Sequence, residues 1–522
     1  MVFNVPLDMF LIELNKSGAN AEKYESVKTA VHSYCERILS YHPALIILNV
    51  CYKRSATPSK CLDTFLYNVA ADADGLPAKD SNGNVLLTEA PEADFDRASW
   101  WGMFYFMLRD MIRLEIDPFA IAVDYLKSKG QQVWFSVRMN DHHFPENPSI
   151  NAAFALEHPE YTITPNSVMQ YPCAHENAEK AGTYLNYACH PVRNRYLEYL
   201  AELVVSYPID GIELDWLRTT PVVPAATPEN RELINSFMRE AKRRLRLPGR
   251  KNMLGARIKM REEENLLEGL DAAQWIADGS LDCLTISNFF VPTCFEPPIA
   301  QWRASIAAKN LERYPYQLFC GCDWAVTCAP GKQIGMLPDI MRGFRDSALY
   351  RSADDIYVFN QACSAEMNLI LDPATGKLED GAKEIIAAAC GMPGNRAYIS
   401  EQNAERRYPI SLNPRESISF VLYSGTAKKE KYLILGTDRP EFSAVVDGYS
   451  LVLQALPTIC GRQYNADAKS CWIYTESEAA PCMRTALLPS VCNSRAFSEY
   501  RLINESETTA SILWIEIQAA DN

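Results

Sequence analysis

The sequence predicts an α/β protein in which a (β/α)8 TIM barrel is followed by a C-terminal antiparallel β-sandwich domain. Three observations carry that prediction. Short apolar or β-branched runs alternate with amphipathic helical stretches from residue 44 to residue 362, the pattern of parallel strands joined by crossover helices. The alternation yields eight strands, the number that closes a barrel. From about residue 395 the helices cease, and short strands separated by turn residues take over, as in a sandwich.

In chain order, "ALIILNV" (44–50) and "LDTFLYNVA" (62–70) read as the first two strands. A long helical region over 100–130 follows and stops at Gly130, since glycine is a favoured helix terminator. The third strand opens "QQVWFSVRMNDHH" (131–143). There Val133, Phe135, Val137 and Met139 face an apolar layer, and Trp134, Ser136, Arg138 and Asn140 face the opposite way. Strands four to eight are 210–218, 253–259, 281–290, 316–326 and 355–362, with helical stretches at 190–208, 230–246, 266–279, 299–314 and 338–353. No GxGxxG follows the first strand and no P-loop occurs, which argues against a doubly wound nucleotide-binding sheet. The chain is therefore divided into a barrel over 1–394, with an N-terminal helix and a long loop at 142–190, and a sandwich over 395–522. The runs "SISFVLYSG", "KYLILGT", "FSAVVDG", "YSLVLQALP" and "ASILWIEIQ" are the expected sandwich strands.

A chain of 522 residues is too long for one ordinary core. A formal charge of −14 excludes nucleic acid as the main partner, because phosphate binding needs an excess of clustered Lys and Arg. The 16 cysteines lack any CxxC spacing, so free thiols are expected and structural zinc is not. No run reaches the ~18–20 apolar residues of a membrane span, and no membrane partner is expected. The N-terminus lacks the basic start and cleavage site of a signal peptide; the compartment stays open between cytoplasmic and secreted with the signal removed. No cofactor is expected, and a homodimer is left open.

Barrel enzymes gather their reactive side chains where strands end in βα loops. The third strand ends in Arg138, Asn140, Asp141, His142 and His143, and the fourth offers Glu213 and Asp215 on one face, with Arg218 at its end. The fifth brings Arg257 and Lys259, the sixth Ser287 and Asn288, the seventh Asp323 and Trp324, the eighth Asn360 and Gln361. Each has a structural alternative. Glu213 and Asp215 can pair with Arg138 or Arg257 merely to hold the barrel together, and Asp141 can be a turn residue. Convergence of several strands on one mouth favours function. An imidazole beside a carboxylate is a natural general base, and Asp141 with His143 supplies one. A nearby guanidinium anchors a carboxylate or phosphate. Trp100, Trp101, Trp134, Trp216 and Trp324 offer flat faces for sugar rings or for packing.

The stretch "DGIELDW" followed by "LR" resembles the fourth strand of barrel glycoside hydrolases. Its likeness to the DGxDxDxE strand of chitinases fails at Leu217, which occupies the place of the protonating carboxyl. "RMNDHH" is similar to the Arg-x-x-Asp-x-His segment after the third strand of glycoside hydrolase family 156, which are inverting exo-sialidases with a (β/α)8 barrel and a β-rich C-terminal domain. The resemblance implies His143 as base, Asp141 as its support and Arg138 as anchor for the sialic acid carboxylate. It also implies an essential aspartate near the end of the first strand. The 44–50 strand runs on into "CYKR", and Asn49, Val50, Cys51 and Tyr52 contain no carboxylate.

The leading expectation is an inverting, sialidase-like glycoside hydrolase acting on a terminal anionic sugar of a glycan. Asp215, Glu213 and Asp323 are the candidates for the missing acid. Arg138, Asn140, His142, Arg218, Arg257, Asn288, Asp323, Trp324 and Asn360 are the candidates for substrate binding. Three alternatives stand beside it: a retaining glycosidase using Glu213, a metal-dependent hydrolase using Asp141, His142 and His143, and a carbohydrate-binding barrel without catalysis.

Overall fold

The computed structural model describes all residues except 21, 41, 71, 74–75, 89–99, 142–150, 169–183, 218–220, 289–296, 323–324, 330–331, 336–343, 346–347, 350, 360–395, 398, 401–409, 424–429, 456–481, 494, 496 and 520–522. The chain divides into two units. The first comprises Met1–Phe289, Ala300–Gly321 and Tyr357–Cys363 and carries the barrel; the second includes Ser364–Asn522 and carries the sandwich.

Eight barrel strands run in chain order: β1 (Val2–Val5), β2 (Leu45–Tyr52), β3 (Val133–Arg138), β4 (Gly211–Asp215), β5 (Met253–Lys259), β6 (Cys283–Ser287), β7 (Gln317–Cys322) and β8 (Asp355–Val358). Each neighbours the next in sequence, and β1 pairs in parallel with both β2 and β8, which closes the barrel. Closure requires right-handed crossovers between parallel neighbours, which helices such as Pro118–Ser128, His190–Ser206 and Pro228–Arg244 provide.

The first two strands differ from expectation. The barrel begins with "VFNV" at the extreme N-terminus, and 44–50 belongs to the second strand. The stretch 62–70 is not in the barrel; only Asn68–Val69 forms a short antiparallel ladder, with Leu87–Thr88. Connectivity explains why. After Tyr52 the chain reverses at Lys53, where φ is +52°, and Arg54–Ser55 pairs antiparallel with Cys51–Tyr52. No crossover separates 45–52 from 62–70, and a parallel neighbour cannot be reached without one. The required crossover lies earlier, in the helices Leu7–Lys16 and Tyr24–Leu39 between β1 and β2.

The long helical region is two helices, Trp100–Arg113 and Pro118–Ser128. Asp117 begins the second by accepting hydrogen bonds from the Phe119 and Ala120 amides, with Pro118 at its first position. No helix among the described residues is long and apolar enough to cross a membrane.

Inside the barrel, Val2, Leu45, Ile47, Trp134, Cys283, Phe319, Tyr357 and Phe359 form one apolar cluster, with Met253 packed against it. Trp134 dominates this layer. It fits because β4 and β5 present Gly211 and Gly255: an added Cβ would lie 2.6 Å and 2.8 Å, respectively, from the indole ring. Strand alternation then places Ser136 and Arg138, Glu213 and Asp215, and Arg257 and Lys259 on the same inner face, progressively nearer the C-terminal mouth. The outward residues Val133, Phe135 and Val137 are fully buried, and Phe135 meets Phe119 and Tyr207 edge-on.

Among its described residues the second unit contains a six-stranded and a five-stranded antiparallel sheet. Leu433, Leu435, Ile512 and Ile515 from the first and Ile418, Ala444, Val446, Tyr500 and Leu502 from the second share one core, the arrangement of a β-sandwich. The five expected segments all contain strands, joined by Cys482–Leu487 and Phe497–Asn504 among others.

Candidate active site

Register puts the charged side chains in a row. Arg138 pairs with Asp215, and Asp215 pairs with Arg257, across β3, β4 and β5. All three side chains are at most 2% exposed. Arg257 Nη1 donates to both Asp215 oxygens, at 3.3 and 3.2 Å, and its guanidinium lies 3.6 Å from the Phe359 ring centroid. Arg138 Nη1 donates to Asp141 Oδ2 at 2.9 Å. Burial opposes a charge on Arg138, yet the Tyr52 oxygen, Asp141, Asp215 and Asp8 outweigh it and hold the guanidinium above its ordinary range.

One layer deeper, Glu213 Oε1 accepts from Ser136 Oγ at 2.9 Å and from the Tyr357 hydroxyl at 2.8 Å. Burial, reinforced by the neighbouring Asp215 charge, raises Glu213 to about 7, against the lowering effects of Arg257 and the two hydrogen bonds. A carboxyl of this kind keeps its proton well above the ordinary carboxylate range and is shared between its two forms near neutral pH.

Two residues outside the predicted set complete the arrangement. Asp8 follows β1 and accepts a 2.9 Å hydrogen bond from the Tyr52 hydroxyl. Tyr52 in turn places its ring 3.7 Å from the Arg138 guanidinium. An acidic residue therefore does stand after the first barrel strand. The available signal was the apolar "VFNV" before Pro6, which marks a strand start in a chain whose next strand lies forty residues on.

The other predicted residues divide three ways. Asn140 is buried, and its amide is engaged with the Leu185 amide and with the carbonyls of Leu185 and Pro221; it ties the long loop to the barrel. Lys259 is paired with Glu268, while Ser287 accepts from Arg257 and donates to the Asn288 carbonyl. His142, His143, Arg218, Asp323, Trp324, Asn360 and Gln361 lie outside the described residues. Of the tryptophans, Trp134 fills the barrel floor and Trp216 packs against Tyr187, Phe237 and Trp275 outside it.

The Arg257–Asp215 ion pair ties β5 to β4 whatever else it does, and Arg138 stands opposite Asp215 in the β3–β4 register. Buried ion pairs contribute little net stability compared with apolar packing. No group of three or more metal-ligating side chains occurs among the described residues.

No protein-family model matches the sequence. No curated protein matches it either. Among solved structures the chain is similar to a noncanonic maltogenic alpha-amylase from Thermotoga neapolitana, at 10% identity and a TM-score of 0.38 over 98% of this chain and 99% of that one. It is similar to an alpha-amylase from Geobacillus thermoleovorans at 11% identity and a TM-score of 0.37, over 97% and 98% of the two chains. It is also similar to the PgaB glycoside hydrolase domain from Bordetella bronchiseptica, at 12% identity and a TM-score of 0.38 over 74% of this chain and 98% of that one. Likeness this distant carries no argument about activity.

Proposed function

We propose that the protein is a glycoside hydrolase that removes a terminal anionic sugar, of the sialic acid class, by single displacement at the barrel mouth. The reading rests on the convergence of Asp8, Asp141 and Asp215 with the buried guanidiniums of Arg138 and Arg257 on the inner face of one rim. Water attacks the anomeric carbon as the glycosidic C–O bond breaks. His143, steered by Asp141, takes the proton from water, and Asp8 delivers a proton to the departing oxygen. Arg138, Arg257 and Arg218 balance the sugar carboxylate. Among the described residues the Nε of each buried guanidinium has no hydrogen-bond partner, so each has donor capacity beyond its present carboxylate. His142, Asn288, Asp323, Trp324 and Asn360 are assigned further contacts with the sugar, and Asn140 supports the site by holding the long loop.

A second reading is favoured by one observation. Arg138 is already engaged with Asp141 and Arg257 with Asp215, which suits a neutral sugar. A screen of sialosides beside neutral aryl glycosides, with the released anomer followed by NMR, separates the two. Turnover of sialosides with inversion is expected. Turnover of neutral glycosides alone selects the second reading, and retention removes single displacement. The variant His143→Ala is expected to lose hydrolysis by at least about a hundredfold while keeping its fold; full activity there would refute the base assignment.

A further inference from the structure

The end of β2 is irregular in a way that serves one side chain. Along β2, Leu45, Ile47 and Asn49 follow the inner face, so simple alternation sends Cys51 inward and Tyr52 outward. The pairing of β2 with β3 is interrupted instead. Asn49 is opposite Ser136, and Cys51 is opposite Val137, with the register shifting between them. Val137 faces away from the barrel interior, so Cys51 does as well, and Tyr52 turns inward. Bulges of this type re-aim a side chain next to a site. Beyond Tyr52 the strand is fixed again. Lys53 adopts φ +52°, a left-handed conformation uncommon for a non-glycine residue, and Tyr52 pairs with Arg54 in the returning ladder. Arg54 is buried and donates to the Asn151 carbonyl at 2.7 Å, which anchors that return.

The ring so delivered is 6% exposed and makes two directed contacts. Its face lies 3.7 Å from the Arg138 guanidinium, and its hydroxyl donates to Asp8 Oδ1 at 2.9 Å. The guanidinium is held edge-on by Asp141 as well. Aromatic face and carboxylate edge together leave the Arg138 plane one orientation. One phenol therefore connects the carboxyl after β1 to the cation after β3.

We propose that Tyr52 is a positioning residue: the β2 bulge and the strained turn at Lys53 place its phenol so that the hydroxyl aims Asp8 at the leaving-group oxygen while the ring fixes the plane of Arg138. The proposal rests on the reading of Asp8 as proton donor. Tyr52 does not touch the reacting atoms; it acts through Asp8 and Arg138. The hydroxyl's bond to Oδ1 restrains the Asp8 carboxyl, and loss of that bond costs orientation at the step in which the proton is delivered.

The test uses full-length protein and the variant Tyr52→Phe, which keeps the ring and removes the hydroxyl. Two substrates with the same sugar are compared, one with a poor alkyl leaving group that needs protonation and one with an activated nitrophenyl group that does not. The expected result is a kcat about tenfold lower on the alkyl glycoside, equivalent to the loss of one charge-assisted hydrogen bond, and within about twofold of wild type on the nitrophenyl glycoside. Equal slowing on both substrates would overturn the proposal, because general loosening of the site does not distinguish leaving groups. If the wild-type protein hydrolyses no glycoside, the functional reading fails, and a double-mutant cycle of Tyr52→Phe with Asp8→Asn, read as urea unfolding, decides the link by itself. Coupling between the two substitutions sustains the Tyr52–Asp8 tie, and additive effects refute it.

Discussion

Glu213 is a carboxyl that the barrel keeps protonated up to about pH 7, and this has a consequence for stability. Its value is raised from 4.5 to about 7 in the folded protein. Between those two values the unfolded chain has released the proton and the native chain retains it, so stability falls as pH rises through that window. The contribution is at most of the order of 3 kcal/mol. Glu213→Gln keeps the shape and removes the titration, and urea unfolding of that variant is expected to depend less on pH between about 5 and 7 than that of the wild type. Equal pH dependence in the two proteins would show that Glu213 is ionised throughout. Asp215 has the opposite role, as the anion between two buried cations. Asp215→Asn leaves Arg257 without its carboxylate partner and is expected to lower unfolding free energy by about 3–5 kcal/mol, the cost of breaking a buried pair from one side.

At the scale of the strand, the barrel interior is set by one large ring and two absent side chains. An added Cβ at Gly255 would meet Trp134 Cζ3 at 2.8 Å and Cys283 only at 3.7 Å, whereas at Gly211 it would also meet the Met253 carbonyl at 2.7 Å. Gly255→Ala is therefore expected to cost about 1–3 kcal/mol by overpacking and to be partly rescued by Trp134→Leu. Gly211→Ala is not rescued by the same change, since a backbone oxygen cannot withdraw. Urea unfolding of the three single and two double variants distinguishes the cases. The alternation along β3, β4 and β5 was legible in the sequence, and with it the inward placement of Arg138, Glu213, Asp215 and Arg257. The start of the barrel was not. A four-residue strand offers too little periodicity to recognise, and the longer run at 62–70 has the composition of a strand without the preceding crossover. Tyr52 was hidden for a different reason. A register shift is a property of two paired strands, and no one-strand pattern reveals that residue 52 faces inward.

Among the described residues the barrel and the sandwich each have an apolar core of their own, and this makes unfolding a test of the molecule's organisation. Barrel residues such as Trp134, Phe319 and Tyr357 form a cluster of their own, and Leu433, Ile512 and Tyr500 belong to another within the sandwich. That an α/β barrel is followed by an antiparallel sandwich was legible in the sequence because the two architectures need different connections: crossovers between parallel strands, and tight turns or loops between antiparallel ones; the expected boundary near residue 395 lies outside the described residues. Units with independent cores unfold as independent cooperative steps when the surface they share is small. Calorimetry of the full chain is expected to show two endotherms, with a sugar that occupies the barrel mouth raising only one of them. At a ligand concentration about a hundred times its Kd the stabilisation is about 2.7 kcal/mol, enough to move one transition by a few degrees and leave the other in place. A single transition with equal calorimetric and van't Hoff enthalpies would mean that the barrel and sandwich fold as one unit, and displacement of both endotherms by the sugar would mean that the second unit also senses the occupied mouth.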